Sequence, residues 1–200
     1  PANALEFGPD GNLYASLRFG QNKVVKINGS TGALIGDFVT AASGGLANPY
    51  DMVFSPDGSF LYVTSEGTGQ VLRYNGATGA YIDVAFIKEV FPAFGLLRPV
   101  SLAFGSDGFL YIVDVNTGGH RVVRGNVSTG AMTSYATLTA ANDTSLIRFG
   151  PDCSLYWMDS PSTHNVSKWT GSVWTLVVDG GGAIVLTSAA RAKTLKKKPV

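Results

Sequence analysis

Short apolar runs recur along the chain, each cut off by a cluster of glycine, proline, aspartate, asparagine or serine. Alternating apolar and polar positions between such clusters predict half-buried strands, because successive side chains on a strand point to opposite faces. Four of the breaks share one pattern: Phe7-Gly-Pro-Asp-Gly-Asn-Leu-Tyr14, Phe54-Ser-Pro-Asp-Gly-Ser-Phe-Leu-Tyr62, Phe104-Gly-Ser-Asp-Gly-Phe-Leu-Tyr111 and Phe149-Gly-Pro-Asp-Cys-Ser-Leu-Tyr156. Aspartate and glycine tolerate the positive φ of a tight reversal, so each motif predicts a hairpin joining a strand A to a strand B. The aspartates Asp10, Asp57, Asp107 and Asp152 stand 47, 50 and 45 residues apart, the period of an internal repeat.

A third strand follows in each repeat, at Val24–Ile27, Val71–Tyr74, Val122–Arg124 and Val166–Trp169. After a second turn comes a fourth, at Ala33–Val39, Ala80–Ile87, Ala131–Leu138 and Val173–Val178. A four-stranded unit cannot bury both of its faces alone, and stacking such units face to face around an axis covers them. The expected fold is therefore all-β: a β-propeller of four four-stranded antiparallel blades, as a closed four-blade ring or part of a larger one. The blades are expected at about residues 1–47, 48–97, 98–142 and 143–179. A sandwich accounts for the strands but not for the repeat. Tyr14, Tyr62, Tyr111 and Tyr156 recur at the repeat spacing and are expected in the core or in blade-to-blade packing rather than as a stacking platform for nucleic acid.

Composition agrees: 45% of the 200 residues are hydrophobic and 14% charged, enough for a packed core. The net charge of +1 conceals an asymmetry, since Arg191, Lys193, Lys196, Lys197 and Lys198 crowd the last ten residues. Setting those five aside leaves ten basic residues against fourteen acidic, so the body lacks the basic face of a nucleic-acid protein. Cys153 is the single cysteine and replaces a turn glycine, which makes it an incidental thiol rather than part of a disulfide framework. No apolar run is long enough to predict a membrane span. The chain begins at Pro1, read as a removed leader or a fragment boundary.

The pattern Phe-Gly-Pro-Asp-Gly-Asn-Leu-Tyr, followed by Val-Leu-Arg-Tyr-Asn-Gly-x-Thr-Gly, resembles the NHL-type propeller repeats of secreted bacterial proteins. The resemblance spans residues 1 to about 178. It implies the fold and an extracellular or cell-surface location, but the fold hosts lyases, lactonases and binding modules alike. Similarity to lactonase or streptogramin-lyase propellers would imply a channel metal held by acidic and amide residues, or a catalytic histidine on a rim loop. The starts of strand A, at Ala4, Asp51, Ser101 and Leu146, hold no recurring ring of such ligands.

Candidate chemistry centres on the two histidines. His120 and His164 occupy equivalent positions, expected in exposed loops between strands B and C, with Glu66, Asp114, Asp159 and Asp51 nearby. A histidine pair with carboxylates has the donors to bind a divalent metal or to act as acid and base; exposed loop histidines spaced by the repeat length need no such explanation. Neither a metal nor another cofactor is expected. Asn28, Asn126, Asn142 and Asn165 are Asn-x-Ser/Thr acceptors for glycosylation, set against the plain role of asparagine as a turn former. After the Gly180-Gly-Gly182 hinge, Ala183, Ile184, Val185 and Leu186 form an apolar strand with no hairpin partner, which either lies as an extra strand or spacer on its own ring or adds to a neighbouring molecule, a self-association that builds filaments. The expected function is a non-catalytic extracellular scaffold that binds itself or another extracellular protein or glycan. The alternative is a propeller enzyme acting on a small ligand in the channel.

Overall fold

The computed structural model describes residues 2–83, 96, 98–115, 120–138, 144–160, 166–171 and 174–178. Blade 1 holds β1 (Ala2–Phe7), β2 (Leu13–Leu17), β3 (Lys23–Ile27) and β4 (Leu34–Val39). Blade 2 holds β5 (Pro49–Phe54), β6 (Phe60–Ser65), β7 (Gln70–Asn75) and β8 (Tyr81–Asp83). Blade 3 holds β9 (Pro99–Phe104), β10 (Leu110–Asp114), β11 (His120–Gly125) and β12 (Met132–Leu138). Blade 4 holds β13 (Thr144–Phe149), β14 (Leu155–Ser160), β15 (Val166–Trp169) and β16 (Trp174–Val178). Each blade is one antiparallel sheet whose strands pair in sequence order, which is the four-bladed β-propeller arrangement the repeat predicts.

The repeat motif does more than turn the chain. In blade 1, Asp10 accepts the backbone N–H of Asn12 (3.1 Å), the Tyr14 hydroxyl (3.0 Å) and the Lys26 ammonium (2.7 Å), so one carboxylate clamps the turn to β2 and β3. Asp107 takes Tyr111 and Arg124 in the same way, and Asp152 takes Tyr156 and Lys168. Blade 2 departs from the scheme: Asp57 accepts the hydroxyls of Ser55 (2.6 Å) and Ser59 (2.7 Å), while Arg73 pairs with Asp83. Lys168, with help from the Ser154 amide and Tyr156, holds the Asp152 carboxyl down to about 2, and the two serine hydroxyls do the same for Asp57, also about 2. Cys153 carries the positive φ (58°) that Gly11, Gly58 and Gly108 carry elsewhere, and it is exposed, as expected of an incidental turn thiol.

The apolar cores lie between blades. Tyr14, Val24 and Val39 of blade 1 meet Met52, Leu61 and Leu72 of blade 2. Tyr62 and Val71 then meet Leu102 and Ile112, and Val113 and Val122 meet Ile147 and Trp157. At each junction the repeat tyrosine sits edge-on to the next blade's repeat phenylalanine: Tyr14–Phe54 at 5.0 Å, Tyr62–Phe104 at 5.5 Å and Tyr111–Phe149 at 4.9 Å between centroids. That geometry places a positive ring edge on a negative ring face. The innermost strands β1, β5, β9 and β13 pack in succession, and among the described residues no comparable packing joins β13 back to β1.

Candidate functional site

The inner strands carry a polar chain that links three blades. Asp51 of β5 is buried, and its carboxylate accepts the Ser101 hydroxyl (2.9 Å), the Leu102 N–H (2.9 Å) and the Arg148 guanidinium (3.1 Å), besides the Met52 N–H (2.9 Å). Ser101 in turn accepts the Ile147 N–H (3.1 Å). The chain thus runs from β5 through β9 to β13. Arg148 is half-exposed and also donates to the carbonyls of Leu102 (3.1 Å) and Ile147 (2.8 Å). Glu6 of β1 belongs to the same electrostatic neighbourhood: burial pushes its carboxyl up, Arg148 pulls it down, and Asp51 raises it further, leaving it above the usual glutamate value.

A second network lies among the segments that follow strand B. Glu66 pairs with Arg18 of blade 1 and with Arg98 of blade 3 (2.6 Å), so it bridges three blades, and Arg18 also lies over the Tyr50 ring at 4.4 Å. Asp114, fully buried at the end of β10, accepts the Arg98 backbone N–H (2.9 Å) and the Arg121 guanidinium (2.9 Å). Carboxylates held this way by guanidinium groups and amides from neighbouring segments are part of the framework.

The histidine reading changes accordingly. His120, expected in an exposed loop, opens β11 and is 4% exposed, because the strand begins earlier than the apolar pattern suggests. Asp114 lies opposite Arg121, not His120, so strand alternation sends the Asp114 and His120 side chains to opposite faces of blade 3. Asp159 lies in β14 opposite Ser145. His164 falls outside the described residues, as do Asn142, Asn165 and the segment Ala183–Leu186. Among the described residues no group of three or more His, Cys, Asp or Glu side chains could hold a metal ion. Asn28 and Asn126 sit in equivalent turns, where each side-chain oxygen accepts two backbone N–H groups two and three residues on. Asn75 makes the same bonds without an acceptor sequence, so turn formation alone accounts for asparagine there.

Sequence reasoning missed Arg148, Arg98 and Arg18 as organising residues. A signal existed for one: the position before the repeat phenylalanine reads Glu6, Val53, Ala103 and Arg148, two opposite charges where the other blades carry apolar residues. Away from these networks, an open groove of about 450 Å³ runs between blades 2 and 3, lined by residues that include Asp57, Phe60, Arg73 and Ser128.

No protein-family model matches the chain, and no curated protein matches it. Solved structures do. Virginiamycin B lyase from Staphylococcus aureus superposes with a TM-score of 0.62 at 19% identity, covering 88% of this chain and 54% of the lyase. A chain of a nidogen/laminin complex gives 0.72 at 13% identity, with 88% and 64% covered. A gluconolactonase from Xanthomonas campestris gives 0.65 at 15% identity, with 86% and 60% covered. These neighbours are NHL- and SMP-30-like β-propeller proteins, and at such identities the likeness is one of fold. The chain spans roughly half to two-thirds of their length. No helix among the described residues is long and apolar enough to cross a membrane.

Proposed function

We propose that the chain is a non-catalytic interaction module of an extracellular or cell-surface protein, binding copies of itself or another extracellular protein or glycan. The observation that carries this reading is the engagement of Asp51, Glu66 and Asp114 by arginines and amides of neighbouring segments. A general base or metal ligand needs an oxygen open to the substrate or ion, and these three carboxylates are engaged by protein donors, between blades for Asp51 and Glu66 and within blade 3 for Asp114. The neighbours are consistent with either class, since two are named as enzymes and one belongs to a protein complex. The extracellular half of the proposal rests on the resemblance to secreted propellers and on the acceptors Asn28, Asn126, Asn142 and Asn165. Protein expressed in a glycosylating host and found at the bare 21.0 kDa chain mass would remove that support.

The test of the non-catalytic reading is elemental analysis after gel filtration in the presence of zinc, calcium and manganese. No stoichiometric ion is expected. One retained ion per chain, lost in His120→Ala together with His164→Ala, would sink it. A channel enzyme is favoured by one observation, the half-buried Glu6 carboxyl shifted upward beside Arg148. That alternative predicts turnover of a small ligand that disappears in Glu6→Gln while the melting temperature is kept.

A further inference from the structure

Blade 2 carries one residue more than the other blades between the turn aspartate and the repeat tyrosine. Asp10 and Tyr14, Asp107 and Tyr111, and Asp152 and Tyr156 stand four apart, whereas Asp57 and Tyr62 stand five apart. The turn widens to match: the Ser55 N–H reaches the Phe60 carbonyl five residues on, where Gly8, Gly105 and Gly150 each reach the carbonyl four residues on. In those three blades the tyrosine ring packs onto the glycine, and a Cβ there would run into it. Blade 2 has Ser55 at that position, so the Tyr62 ring cannot take the same seat.

The cation is redirected as well. Lys26, Arg124 and Lys168 pair with the turn aspartate of their own blades at 2.7, 2.9 and 2.7 Å. Arg73 instead pairs with Asp83 and lies over the Phe60 ring at 5.0 Å. Asp57 is left with the hydroxyls of Ser55 and Ser59 and the Ser59 N–H, and among the described residues no cation pairs with it. Those donors hold its carboxyl at about 2, so it is ionised at neutral pH. Space is open in front of it. Pro9 of blade 1 packs on Gly58 of blade 2, where a Cβ would lie 2.9 Å from the proline Cγ. Pro56 and Gly108 hold those places one junction further on, and a Cβ on Gly108 would meet nothing within 4 Å. The groove of about 450 Å³ lies here, with Pro56, Asp57 and Phe60 from blade 2 and Gly108, Val127 and Ser128 from blade 3. It belongs to the end of the blades where β5 turns into β6 and β11 into β12, opposite the segments after strand B that hold Glu66.

We infer that this groove is a binding site for a lysine side chain of a partner protein, whose ammonium takes at Asp57 the place that Lys26 and Lys168 take at Asp10 and Asp152. Charge complementarity sets the class. A carboxylate has about four acceptor sites, and the donors from Ser55 and Ser59 fill three, which leaves one for the charged donor that the repeat supplies elsewhere. An ammonium suits the place better than a guanidinium, because Arg73 already covers the Phe60 ring on which a planar group would stack. The charge of Arg73 is matched by Asp83 and does not oppose a second cation. Pro56, Phe60 and Val127 flank the carboxylate with apolar surface for the four-carbon stem. This deepens the part of the proposed function in which the chain binds another protein, and it rests on that reading.

The experiment is an NMR titration of the backbone amides of the 200-residue chain with the blocked tripeptide acetyl-Gly-Lys-Gly-amide. Saturable shifts are expected at Asp57, Ser59, Phe60, Val127 and Ser128, with millimolar affinity that weakens as salt is added. The same peptide with norleucine, which keeps the stem and loses the charge, is expected to leave those amides unmoved. Asp57→Asn keeps a residue suited to the turn and is expected to weaken binding tenfold or more at an unchanged melting temperature. Ser128→Lys, at an exposed position of the opposite wall, tethers an ammonium beside the groove and is expected to weaken the peptide as much. Absence of shifts, equal shifts with norleucine, or full affinity in Asp57→Asn overturns the inference. Butylammonium binding as tightly as the peptide overturns it too, and assigns the groove to free amines. Failure of the titration would leave the non-catalytic reading standing, whereas turnover of a small ligand would remove that reading without moving the titration.

Discussion

The aspartate of each repeat turn shows how a residue chosen for its backbone acquires a second task. Asp-Gly is favoured because it turns tightly, yet Asp10, Asp107 and Asp152 also hold a tyrosine hydroxyl and a cation on the neighbouring strands. Acid should loosen that clamp. An unfolded aspartate titrates near about 3.9, while Asp57 and Asp152 titrate at about 2 in the fold. A carboxyl depressed in the folded state contributes stability that is present above its unfolded value and lost as the pH falls through the folded one. The melting temperature is therefore expected to hold down to about pH 5 and to drop between about pH 4 and 2. Asp152→Asn should lower it at neutral pH and make the acid loss shallower; equal acid slopes for the two proteins would remove the clamp from the account. A second residue-scale test compares glycines. Gly32 and Gly79 share a turn position and a φ of 71°, but only Gly79 abuts the preceding blade. Gly32→Ala should cost about 1–2 kcal/mol for the left-handed backbone alone. Gly79→Ala should cost clearly more in urea denaturation, because the Phe38 carbonyl must also move.

At the scale of strands and blades, position in the row decides what a repeated residue is worth. Leu13 and Leu110 hold the same place in the motif, but Leu110 is buried between blades 2 and 3 while Leu13 is only half-covered on the outer face of blade 1. Leu110→Ala is expected to cost about 3 kcal/mol, as deletion of a buried leucine leaves a cavity. Leu13→Ala should cost less than half as much, and equal losses in chemical denaturation would contradict the assignment of cores to blade junctions. The blades themselves were legible in the sequence because strand order is local: each sheet is one contiguous stretch punctuated by turns at equivalent positions, Asp-Gly in three blades and Asp-Cys in the fourth between strands A and B, so pattern and pairing coincide. The polar networks were not, because they join residues with no common motif across large separations, such as Arg148 with Asp51 and Arg98 with Glu66. His120 illustrates the same limit. Its place before an apolar strand reads as loop, and only the packing of blade 3 shows that β11 begins there and buries it.

For the molecule as a whole, the Asp51 chain ties the inner strands of blades 2, 3 and 4 together. Asp51→Ala removes the acceptor of the buried Leu102 N–H and the partner of Arg148 at once. It should cost about 3 kcal/mol, the low end for breaking a buried ion pair since Arg148 is half-exposed. Asp51→Asn, which keeps one acceptor oxygen, should recover part of that loss. Among the described residues β1 packs against β5 with no comparable packing against β13, and in a repeat array stability is close to a sum of intrinsic blade terms and nearest-neighbour junctions. Local opening of β1 should therefore cost less than opening of β6 or β10, and native-state hydrogen exchange should show β1 amides exchanging fastest of the three in dilute protein. Slow β1 exchange would mean that blade 1 is held by something other than its junction with blade 2.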